Sequence, residues 1–120
     1  MRAAALSFAL PLVVLISGCG RSISVNLPDL ESLVISDLSE PRIYYLAPTM
    51  PERRQFNAWL ANNRSGWTQY HALPPPVGTR VQGEHIDLQF FDSTVVIFTP
   101  DGIFSKRIQP SEYAYLTRGL

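Results

Sequence analysis

Cysteine occurs once in this chain, at position 19. A single cysteine forms no internal disulfide, so a bridge-stapled scaffold is excluded. A surplus of positive charge is also missing: ten Lys and Arg face ten Asp and Glu. Nucleic acid, bound mainly through neutralised phosphates, is therefore not an expected partner. A polybasic grip on anionic lipid is equally unsupported. The chain has no glycine-rich phosphate loop and no G-x-S-x-G serine elbow. Paired carboxylates need a cleft that a domain of this size rarely forms. Histidine occurs only at His71 and His85. Glu84, His85 and Asp87 cluster in sequence, but on a strand only His85 and Asp87 share a face, too few for a metal site. No catalytic residue, metal or cofactor is predicted.

What is present begins with the N-terminus. Arg2 precedes an uncharged apolar run from Ala3 to Ile16, which leads into Ile16-Ser17-Gly18-Cys19. A charged start, an apolar stretch and small residues before a cut are the parts of an export signal. The junction resembles the lipobox of bacterial lipoproteins. That resemblance covers only the leader. It implies cleavage between Gly18 and Cys19, diacylglycerol on the Cys19 thiol, acylation of the new amine, and attachment to a membrane. Gly20 stands where an aspartate would signal inner-membrane retention. The expected place is thus the outer membrane, facing the periplasm, in a Gram-negative host. A signal anchor and ordinary signal cleavage are the competing readings. Pro11 and the short apolar length weigh against an anchor. The expected organisation is a signal peptide at 1–18, a lipidated cysteine and tether at 19–28, and one domain at 29–120. From Cys19 to Leu30 such a tether reaches roughly 35–40 Å when extended.

The domain reads as α+β, a small antiparallel sheet of four to six strands with one main helix over about 50–62. Residues 30–38, 42–46 and 67–71 read as strands. Thr49-Met-Pro-Glu52 matches a capping box. Phe56, Trp59 and Leu60 share a helical face, with Arg53, Arg54 and Asn57 largely outside it. Asn62-Asn63-Arg64-Ser65-Gly66 stops the helix. Ile86, Leu88 and Phe90 alternate with His85, Asp87 and Gln89 in a clear strand pattern. Asp92-Ser93 turns the chain into 94–99, a strand buried on both faces. Thr99-Pro100-Asp101-Gly102 is a hairpin turn into 103–108. Pro74-Pro75-Pro76 is a stiff extended connector. After Pro110, Ser111 is expected to cap a short helix through Thr117.

Aromatics are numerous for so small a body. Trp59, Phe90 and Phe98 are expected in the core, while Tyr70, Phe91, Tyr113 and Tyr115 are candidates for an exposed protein-binding patch. Half-buried tyrosines with hydroxyls in water are the plainer alternative. The function that fits is a non-enzymatic, membrane-anchored binding module whose partner is another envelope or secreted protein. An inhibitor or immunity protein against a toxin or enzyme acting in the periplasm is favoured over an accessory or pilot subunit of a secretion or transport complex. A lipid or small-ligand carrier is the reading from another class.

Overall fold

The computed structural model describes residues 20–23, 25, 27, 31–40 and 42–120. The leader and the expected processing site at Gly18 and Cys19 lie outside the described residues. The architecture is α+β, a seven-stranded antiparallel sheet with one main helix and a short C-terminal helix. In chain order the elements are β1 (Leu33–Asp37), β2 (Arg42–Leu46), α1 (Pro51–Asn62), β3 (Thr68–Gln69), β4 (Thr79–Gln82), β5 (Asp87–Phe91), β6 (Thr94–Thr99) and β7 (Gly102–Arg107). A 3₁₀ turn (Pro110–Glu112) and α2 (Ala114–Thr117) close the chain. The strands lie in the order β2-β1-β4-β5-β6-β7-β3.

Local chemistry explains most of these boundaries. Two tight hairpins join β5, β6 and β7, with Phe91 opposite Thr94 and Thr99 opposite Gly102. Asp92 adopts φ 50° in the first turn, and Gly102 closes the second at φ 137°. Val95, Val96 and Ile97 are buried, so β6 is covered on both faces as its pattern predicts. The strand that sequence reading missed is β4, only four residues long and central in the sheet. The strand expected over 67–71 shrinks to two residues, with Trp67 bridging to Arg21 instead.

The capping box expected at Thr49 and Glu52 does not form. The N-cap is Met50, extended at φ −73° and ψ 143°, with no side-chain cap bond. Pro51 at the first helical position disfavours helical geometry in the residue before it, which moves the boundary to Met50. The reciprocal box occurs at the 3₁₀ turn instead, between Gln109 and Glu112. The Gln109 amide donates to Glu112 Oε2 at 2.7 Å. Ser111, expected as a cap, sits inside that turn. At the other end of α1 the Asn63 side chain donates to the Trp59 carbonyl at 2.8 Å, and the helix stops where predicted.

Phe56 and Trp59 carry the buried face of α1. They pack against inward side chains of the sheet, among them Leu33, Ile35, Val81, Leu88, Phe90 and Phe104. Trp59 meets the Phe90 ring edge-on at 5.2 Å and donates its indole N–H to Glu112 at 3.1 Å. Arg53, expected outside this face, is buried. It lies one turn before Phe56 on the same stripe, and its guanidinium donates to the Asn57 side chain and the Glu31 carbonyl.

The N-terminal segment completes the layer. Arg21 and Trp67 exchange backbone hydrogen bonds of 2.6 and 3.1 Å, and the Ile23 amide donates to Arg64 at 2.7 Å. Ile23, Val25 and Leu27 pack against the core. A Cβ on Gly20 would meet Gly66 Cα at 2.6 Å, so glycine permits this close approach. Further along, Glu31 takes the ring of His85 at 2.6 Å. The described residues of the expected short tether, 20–23, 25 and 27, therefore lie along the body as a strap.

Candidate functional site

The sheet's inward face is closed by α1, α2 and the strap, which leaves its outer face as the surface available for contact. Register assigns Ile43 and Tyr45 of β2, Val34 and Ser36 of β1, and Arg80 and Gln82 of β4 to that face. It continues through Asp87, Gln89 and Phe91 of β5 and Val96 and Phe98 of β6. Phe98, expected in the core, is half-buried here with the Arg80 guanidinium 5.5 Å over its ring. Arg80 also forms a paired ion bridge to Asp87 at 2.9 and 2.7 Å.

The loop carrying Pro74-Pro75-Pro76 lies across this face and is fixed from below. Buried Gln89 donates to the carbonyls of Pro75 at 2.6 Å and Val77 at 2.9 Å. Gly78 ends the loop at φ 91°, and a Cβ there would run into the Phe90 carbonyl oxygen. Proline stiffness, a buried amide clamp and a glycine exit leave the loop little freedom. It presents Leu73 at 85% exposure and Val77 at 40%. Three strands from the β5 clamp, Ile43 is 59% exposed and Tyr45 66%. These four are the large exposed hydrophobic residues among the described residues.

The predicted patch is not assembled. Tyr70 and Phe91 are half-buried on the outer side, with the Tyr70 amide bonded to the Ile103 carbonyl at 2.8 Å. Tyr113 instead stacks on Phe90 in the core at 4.9 Å and donates its hydroxyl to Asp92 at 3.0 Å. Tyr115 is buried. A helical turn, not a strand, carries the C-terminus, so Tyr113 turns onto Phe90 of β5 and Tyr115 is buried in the core, rather than both aligning on a free face. Burial, then the charge of Asp92, raises the Tyr113 phenol. Burial, then Tyr44, raises that of Tyr115. Ile43, Tyr45, Leu73 and Val77 replace them as contact candidates. Alternation marks Ile43 and Tyr45 as one face of a strand, but only strand order reveals that the strand is an edge.

The titratable groups do not converge. Asp87 is committed to Arg80, and His85 lies in the turn before β5, bonded to Glu31 of the strap. His71 stands exposed in the loop beyond β3. Burial acts to raise the Glu31 carboxyl, but hydrogen bonds from the His85 ring and the His85 and Glu84 amides outweigh it and lower the value. Among the described residues no three His, Cys, Asp or Glu side chains gather to hold a metal ion. No helix of the described residues is long and apolar enough to cross a membrane. No known protein family, curated protein or solved structure matches the chain.

Proposed function

We propose that this chain is a lipid-anchored envelope protein whose outer sheet face binds another protein. Its favoured role is that of an inhibitor or immunity protein against an enzyme or toxin acting in the periplasm. One observation carries the binding reading: exposed apolar side chains stand on backbone that is already fixed. Leu73 and Val77 sit on the clamped proline loop beside the paired Arg80 and Asp87. Ordering such a surface on association costs little, and apolar anchors beside polar groups suit a protein interface. Inhibition asks only that a surface cover a partner's working site, which fits a single, chemically plain domain. The carrier reading needs a chamber between helix and sheet, and that space is filled by Phe56, Trp59, Phe90, Tyr115 and Leu116.

The test is capture of envelope proteins by the tagged full chain in detergent. The double variant Leu73→Asp/Val77→Asp should weaken capture of the bound partner by at least about 2 kcal/mol, roughly thirtyfold. The double variant His71→Ala/His85→Ala should retain it, once circular dichroism shows both variants folded. The opposite pattern would abandon the binding surface and put an enzyme or metal site first.

A further inference from the structure

The two edges of the sheet are treated differently. Next to β3 the strap pairs with the residue that precedes the strand, where Arg21 exchanges both backbone hydrogen bonds with Trp67. At the other end only β1 pairs with β2. Among the described residues, no backbone bond outside regular elements involves residues 43–46. One row of β2 amides and carbonyls therefore lacks a backbone partner among the described residues. Edge strands are usually blunted by lysine, proline, a bulge or an inward charge. Within β2 the one charge is Arg42, tied back to Asp37 and Glu40 at 3.1 Å each. The side chains beside this row are the exposed Ile43 and Tyr45.

The strand is also held straight without a partner. Tyr44 donates its hydroxyl to the Leu116 carbonyl at 2.7 Å, and Arg42 reaches the Leu120 carbonyl at 3.1 Å. A second strand would meet an edge already in place.

We propose that β2 joins two copies of this chain, paired antiparallel about a two-fold axis at Tyr44. In that register all five residues of β2 find partners. Ile43 of each copy faces Tyr45 of the other, an apolar–aromatic cross-strand pair on the outer face. Arg42 falls opposite Leu46, so no like charges meet. The interface is isologous and closes at two copies. Its axis runs normal to the sheet, which keeps both helical layers and both strap segments on one side. The fourteen-stranded sheet then displays two proline loops on its other side.

Register-specific cross-linking tests this in cells expressing the full chain. Ile43→Cys and Tyr45→Cys, carrying different tags, are made together and oxidised without a spacer. Directly opposed positions approach disulfide geometry, whereas like positions lie diagonally at roughly 7–8 Å. The mixed pair should give about tenfold more dimer than either variant alone, with the diagonal distance too long for a disulfide. Equal yields, no yield, or a disulfide to a different protein would overturn the proposal, the last in favour of a foreign strand on this edge. Both sites are exposed, and thermal midpoints equal to that of the parent check that folding is intact. The parent bearing only Cys19 separates the two ideas. If the parent links to itself, its thiol is free and the lipid reading fails; the pair is then repeated with Cys19→Ser, which tests the β2 contact alone.

Discussion

At the scale of single residues, Trp59 decides more than any other side chain. Its ring stacks on Phe56, meets Phe90 edge-on, and binds Glu112 through the indole N–H. Trp59→Ala should cost about 3–5 kcal/mol, from lost burial and the cavity left behind. That approaches the whole stability of a domain this small, and denaturant titration should find the variant largely unfolded. Helix-cap residues give the contrasting case. Thr49→Ala should shift the midpoint by less than about 0.5 kcal/mol, because Thr49 makes no cap bond. Glu112→Ala should cost about 1 kcal/mol, because its carboxylate accepts from the Gln109 amide that opens the 3₁₀ turn. Sequence spacing fits both sites. Thr49 has the familiar pattern, yet Pro51 shifts the helix start by one residue and strands it. A motif names the side chains able to cap; the backbone before a proline decides whether they do.

At the scale of elements, the pH dependence lies in the strap and at the end of β1. Glu31 links the strap to His85, and Asp37 accepts from the Ser39 amide and from Arg42. Both carboxyls are lowered: Glu31 because its hydrogen bonds outweigh burial, Asp37 first through the Ser39 amide. Each binds its proton less readily in the folded chain than in the unfolded one. Their stabilisation is therefore fully present above the ordinary glutamate value of 4.5 and fades as pH falls through the lower folded values. Thermal midpoints should hold level above pH about 5 and decline below pH about 4.5. Glu31→Gln should lower the neutral-pH midpoint and soften that acid decline. An unchanged acid limb would mean that the strap is not tied through Glu31. The elements also show why some of the fold was legible and some was not. The β5-β6-β7 meander announces itself through period-two apolar residues and Pro100-Asp101-Gly102, all local signals. Strand β4 has four residues with Val81 its one large apolar side chain, so the alternation between Gly78 and Gly83 is too short to read, and its place is set by distant partners in β1 and β5. The contact surface failed for the same reason. Tyr113 and Tyr115 are plausible anchors by composition, but Tyr113 stacks on Phe90 of β5 and Tyr115 is buried. Ile43 and Tyr45 are exposed only because β2 ends the sheet.

At the scale of the whole molecule, the strap brings the expected anchor close to the body, since Arg21 is paired to Trp67 only two residues after Cys19. Whether that anchor is lipid is settled by two observables taken together, because membrane partition alone is ambiguous. A Cys19→Ser chain denied lipid would keep its leader, and the apolar run Ala3–Ile16 would still hold it in a membrane. Labelled palmitate and intact mass separate the readings. The lipoprotein reading expects label on the wild type together with loss of residues 1–18. It also expects an unlabelled Cys19→Ser chain at full length. A signal anchor expects full length and no label in both. Ordinary signal cleavage expects shortening without label in both, with a free thiol on the wild type. Equal labelling of the two forms would remove Cys19 as the site of attachment, whatever their lengths.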